Sequence, residues 1–211
     1  PVTENSNTGV RLSTAVAANH GDIGSNAVDL SYSSSASTTN GATGAASTAM
    51  GGGTTASGSR STAMGGGTTA SGSRSTAMGS GTEASASYST AMGFFTTASG
   101  IFSTAMGNVT TASGAGSTAM GYNTEASGYY STAMGFETTA SASYSKAMGR
   151  NTTASDYGSL VIGQFNSSGS SATSATSFNT ANTAFVIGNG LGQGVDASDA
   201  FSILFDGTTI I

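Results

Sequence analysis

The stretch Ser61–Arg74 reads STAMGGGTTASGSR, and the same fourteen-residue pattern starts again at Ser47, Ser75, Ser89, Ser103, Ser117, Ser131 and Ser145. All eight methionines fall at one position of it, as Met50, Met64, Met78, Met92, Met106, Met120, Met134 and Met148. Alanine is more regular still, recurring at every seventh residue from Ala42 to Ala154. Each unit is therefore two similar half-units. A heptad coiled coil is excluded, because its seam needs large apolar residues at two positions, whereas here one is always Ala and Gly usually follows two residues later.

In an extended chain alternate residues point to opposite sides. That rule predicts a strand over 61–65, a turn at Gly66 and Gly67, a second strand over 68–72, and a turn at Ser73 and Arg74. One side of the pair then carries Ser61, Ala63, Gly65, Thr68, Ala70 and Gly72, all small enough for two strands to approach closely. Successive units stack by parallel pairing at about 4.8 Å per turn, so eight of them rise on the order of 40 Å. The opposite side carries a Thr ladder, broken at Lys146, and the Met ladder. An exposed apolar stripe of that length calls for a partner, and copies of the same chain supply one by cyclic symmetry. The inverse arrangement, with Met inside and Ala outside, leaves only Thr69 and Ser71 to face methionine.

Composition agrees with a repeat rather than with disorder. Charged residues make up only 7% and glycine supplies 32 of 211 residues, yet the order is strictly periodic. Glycine does not fall at every third position, which excludes collagen. With no cysteine there are no disulfides and no thiolate metal sites. The net charge of −5 offers no basic stripe for nucleic acid. No apolar run approaches the ~20 residues of a membrane helix, so this segment is expected to make no membrane contact. The N-terminus lacks a signal-peptide pattern, and the chain reads as a piece whose targeting and anchoring parts lie elsewhere.

The alternation Ser-Thr-Ala-Met-Gly and Thr-Thr-Ala-Ser-Gly from Ser47 to Asp156, with the variants Ser159–Gly163 (SLVIG) and Ala184–Gly188 (AFVIG), resembles the YadA-like head of the trimeric autotransporter adhesins of bacterial outer membranes. The resemblance covers over half of the chain. It implies an all-β, left-handed parallel β-roll, assembled as a homotrimer and displayed extracellularly on the bacterial surface through a stalk and membrane anchor outside this chain. The head repeat commonly has Ile or Val where this chain has Met. On this reading the eight methionines with Ile162 and Ile187 form the trimer core between one chain and two identical partners.

Around the regular coils, residues 40–163, the pattern loosens. Residues 1–39 read as a cap or degenerate coils, with Ser13–Ala17 (STAVA) and Ser25–Asp29 as worn strands that protect the open edge of the stack. Residues 164–194 hold a final coil with a Ser/Thr/Asn-rich insertion near Ser167–Asn182, since Val161–Gly163 recurs at Val186–Gly188 after 25 residues. Residues 195–211 read as a β-hairpin or neck-like connector turning at Asp206–Gly207.

Chemistry is sparse. His20 is the one histidine and shows no metal-ligand spacing or paired nucleophile; Asp196 and Asp199 read as solvated loop carboxylates. No catalytic residue, metal site or cofactor is expected. What varies is the turns. Phe94, Phe95, Ile101, Phe102, Tyr122, Tyr129, Tyr130, Phe136 and Tyr144 occupy sites that carry Gly-Gly or Ser-Arg in earlier coils. Aromatic side chains there either pack between chains or form a contact strip for an extracellular matrix protein, a glycan or a cell surface. The expected function is thus a non-enzymatic adhesin. Two other readings stay open: a phage-type tail fibre, which has the same rod and a different attached end, and an ice-binding solenoid built on the outward Thr55, Thr69, Thr97, Thr111, Thr139 and Thr153, interrupted by Glu83 and Glu125.

Overall fold

A computed structural model describes residues 1–12, 15–167 and 174–211. It divides into two compact units, Pro1–Phe102 and Ser103–Ile211. Each is a β-solenoid in which every fourteen-residue repeat makes one coil with a long and a short arm. In the first unit the long arms Val28–Tyr32, Thr48–Gly52, Thr62–Gly66, Thr76–Ser80 and Thr90–Phe94 pair in parallel, with Met50↔Met64, Met64↔Met78 and Met78↔Met92 in register. In the second, Thr104–Asn108, Thr118–Tyr122, Thr132–Phe136, Lys146–Arg150, Leu160–Gln164 and Thr183–Asn189 do the same. The register Val161↔Val186 and Ile162↔Ile187 places the Ser/Thr/Asn-rich tract between consecutive coils; its residues 168–173 lie outside the described residues.

The inner columns are those the alternation predicts. Ala63 and Ala70, with their counterparts from Ala42 through Ala147, are fully buried, as are Ser61 and Thr68 to within 1%. Methionine is on the outer face of the long arm, half-buried, so the inverse arrangement is not adopted. A one-residue shift would drive Met into a space sized for a methyl group.

Two local expectations fail. The second strand is not five residues long but two, Thr69–Ala70. The N–H groups of Ser71 and Gly72 both converge on the carbonyl of Ala84 in the next coil, at 3.1 and 3.2 Å, and this shared acceptor bends the chain out of the ladder. Gly65 does not face inward; it is exposed, with φ +121°. That dihedral suits only glycine, and a Cβ there would come within 1.9 Å of the Gly79 carbonyl. The repeat therefore keeps glycine here because the next coil stacks directly on its Cα. Gly66 beside it has nothing within 4 Å of an added Cβ, and other coils place Ser80, Phe94 or Tyr122 at that point.

Near the N-terminus, Val2–Glu4 pairs antiparallel with Asn7–Arg11, which then runs parallel to Val28–Tyr32. Of the STAVA stretch, Ser13 and Thr14 lie outside the described residues, and Ala17 opens a 3-10 turn, Ala17–Asn19, instead of closing a strand. The inner Ala column continues here as Asp29, the register partner of Ala49, fully buried. Arg11 Nε donates to Asp29 Oδ2 at 3.0 Å, Arg11 Nη1 to Glu4 Oε1 at 2.7 Å, and Ser31 Oγ to Asp29 Oδ1 at 2.6 Å. At the other end, Asp199–Leu204 pairs antiparallel with Thr183–Asn189 and then with Thr209–Ile210. Asp206 accepts the Thr208 N–H at 2.8 Å in the intervening turn, which holds its carboxyl below the usual carboxylate range.

Candidate adhesive surface

Each coil has two turns, and each turn needs one residue in the left-handed region. In the turn from long to short arm it is Gly67, Gly81, Phe95, Val109, Asn123, Glu137 or Asn151; in the other it is Arg60, Arg74, Tyr88, Phe102, Gly116, Tyr130 or Tyr144. L residues pay about 1–2 kcal/mol for that conformation, and a β-branched residue such as Val109 (φ 54°) is a rare occupant. The conformation is imposed by stacking. Its N–H donates to the carbonyl one coil earlier, as from Phe95 to Ser80 at 2.9 Å, Tyr130 to Ala115 at 2.9 Å and Tyr144 to Tyr129 at 2.7 Å. A turn residue is thus held in place by the backbone ladder whatever its side chain, which frees the side chain to vary.

All nine aromatic or aliphatic turn residues named from the sequence are exposed in the single chain. The structure sorts them into two columns per unit. In the first unit Phe94 and Phe95 meet edge-on at 4.4 Å on one turn. Ile101 and Phe102 occupy the other, where the Phe102 ring stacks on Tyr88 at 4.9 Å. Arg74 extends this column, donating to the Tyr88 hydroxyl at 2.7 Å with its guanidinium 5.2 Å above the ring. In the second unit Tyr122 stacks on Phe136 at 5.0 Å and 7°, with Arg150 6.0 Å from the Phe136 ring. On the opposite turn Tyr129, Tyr130, Tyr144 and Tyr157 form a cluster. Its ring distances are 4.4 Å for Tyr129–Tyr130, 5.9 Å for Tyr130–Tyr144 and 5.4 Å for Tyr144–Tyr157. Tyr130 lies over Gly116, where an added Cβ would be 2.5 Å from its ring. The Tyr129 phenol is held above its ordinary value, first by its hydrogen bond with Tyr130, then by the charge of that neighbour.

Sequence reading missed Tyr88, Val109 and Tyr32, which are exposed like the rest. Tyr88 was legible, since it stands one unit before Phe102; Tyr32 was not, since the first coils depart from the fourteen-residue spacing.

The second surface is the outer face of the long arms. Met50 is 38% exposed and Met64, Met78, Met92, Met106, Met120, Met134 and Met148 are half-buried. In the first unit Leu30 continues this ladder before Met50, and in the second Ile162 and Ile187 continue it after Met148. The outward Thr column of the short arms is broken by exposed Glu83 and Glu125.

His20 is buried rather than isolated. Its Nδ1 is 3.4 Å from both Ser31 Oγ and Asp29 Oδ2. Serine and aspartate approach the same ring nitrogen and bond to each other, which is not the serine–imidazole–carboxylate order of a nucleophilic relay. Asp199 is taken up by Ser167, whose N–H it accepts at 3.0 Å. Among the described residues no group of three or more His, Cys, Asp and Glu is placed to hold a metal ion, and no helix is long and apolar enough to cross a membrane.

A family description, the YadA head domain repeat (2 copies), matches residues 42–68, 70–96, 98–124, 126–145 and 140–166, more than half of the chain. No curated protein matches it.

Proposed function

The chain belongs to the YadA head domain repeat family, and from that premise we propose that it is the adhesive head of a surface-displayed homotrimer. Three copies pack through the Met face, and the turn columns meet the ligand, a matrix protein, glycan or cell surface outside the bacterium. No reaction is involved. The observation that supports this reading most is the placing of large aromatic rings at left-handed turn positions, where glycine or asparagine would be less strained. Phe102 is 61% exposed and Tyr130 51%. Strain that the surrounding ladder over-determines, kept under exposed rings, supports reading these turns as a surface for contact. Rings stacked from coil to coil also lose little entropy on binding, and repetition along the coils adds avidity.

The test is attachment of the purified head to matrix-coated, glycan-coated and cell-coated surfaces. Changing Tyr129, Tyr130 and Tyr144 to Ser should lower attachment at least about tenfold, an effect of roughly 1.4 kcal/mol, with the β circular-dichroism signal retained. Unchanged attachment to every surface would refute the role of these turns. The trimer is tested by light scattering. Wild type should have the mass of three chains, and Met92→Ser, Met106→Ser and Met120→Ser together should dissociate it.

A further inference from the structure

We infer that the methionine ladder is a site of oxidation that sets how strongly copies of the chain associate, an inference resting on the reading of this face as the interface. In each unit every methionine is on the outer face of a long arm, and the chain has neither cysteine nor tryptophan to intercept an oxidant first. Thioether sulfur is then the best nucleophile available to a hydroperoxide. The reaction transfers one oxygen: the peroxide O–O bond breaks, an S–O bond forms, sulfur is oxidised by two electrons, and the peroxide is reduced to water or an alcohol. Half-buried in the single chain, the methionine side chains are in partial contact with solvent before the chains assemble.

The consequence follows from what the coil is made of. Its interior columns are Ala, Ser and Thr, which peroxide does not touch, so the fold of each coil survives. The outer face does not. Met64↔Met78 and Met120↔Met134 are register partners on parallel strands about 4.8 Å apart, so sulfoxides on consecutive coils turn an apolar ladder into a row of crowded dipoles. Leu30 in the first unit and Ile162 and Ile187 in the second stay apolar, so the weakening of association falls on the methionine coils.

The experiment treats the full chain with hydrogen peroxide at dilutions where its copies are separate, counts added oxygens by mass spectrometry, and follows mass by light scattering as the protein is concentrated again. A parallel variant carries Met→Ile at all eight positions. Expected are uptake of up to eight oxygens, a dissociation midpoint raised at least about tenfold, an unchanged β signal, reversal by methionine sulfoxide reductase, and no response in the Ile variant. An untreated wild type that stays a single chain when concentrated overturns this inference and the interface reading together. A wild type that assembles untreated but takes up the oxygens and keeps its midpoint, takes up none, or loses its β signal overturns the oxidation inference alone.

Discussion

Asp29 and Ala49 are register partners in adjacent coils, yet they sit in two kinds of interior. Around Asp29 the column is filled by charge. Arg11, with 6% of its side chain exposed, and Ser31 bond the carboxylate, and Glu4 and the Gly21 carbonyl take up the other Arg11 donors. In the regular coils the column is filled by methyl groups, and beside it the hydroxyls of Thr54, Thr68, Thr82, Thr96, Thr110, Thr124, Thr138 and Thr152 are buried without a protein partner. The coil at Asp29, which has the non-repeating strand Asn7–Arg11 on one side and a regular coil on the other, is specified by a network that fits one arrangement. A middle coil is specified by steric fit to identical neighbours above and below, and it tolerates a modest polar cost in each repeat. Specificity is concentrated where repetition cannot supply it.

Breaking the charged interior should have the largest effect. Asp29→Ala leaves Arg11 buried beside an empty place, and should lower stability by about 3–5 kcal/mol, read as the shift in the urea midpoint of the first unit. Gly65→Ala should follow at roughly 2–4 kcal/mol, since it combines backbone strain with a clash against the Gly79 carbonyl. Gly66→Ala, one residue on, should stay within about 0.5 kcal/mol in the same assay; equal losses would mean that stacking does not select the glycine. Thr110→Val removes a buried hydroxyl without changing shape and should stabilise by about 1–2 kcal/mol. Val109→Gly should stabilise by about 1 kcal/mol by relieving the left-handed turn, and a loss instead would show that the Val109 side chain makes a contact worth more than its strain.

Much of this contrast was legible in the sequence, for particular reasons. Ala42, Ala49 and Ala56 could be assigned inward because period two in a strand, repeated every seven residues, leaves two faces to choose between, and only one is small throughout. The outward Met ladder followed from the same choice. The length of the short arm was not legible, because it depends on Ser71 and Gly72 sharing an acceptor in the next coil. Nor was the charged interior: Glu4, Arg11, His20 and Asp29 are far apart in the chain and share no spacing. The aromatic turns could be assigned to one turn or the other by register, but the stacking of their rings from coil to coil, as of Phe102 on Tyr88, could not.

The sequence by itself determined the coil, its two faces and its family, because a strict repeat makes every unit solve one packing problem with the same residues. The tertiary structure alone decided the rest: which glycine is obligatory, which turn residues are strained and exposed, and how the coil at Asp29 buries a carboxylate. Those depend on contacts between coils, at distances of a few ångströms, and spacing along one chain carries no record of them.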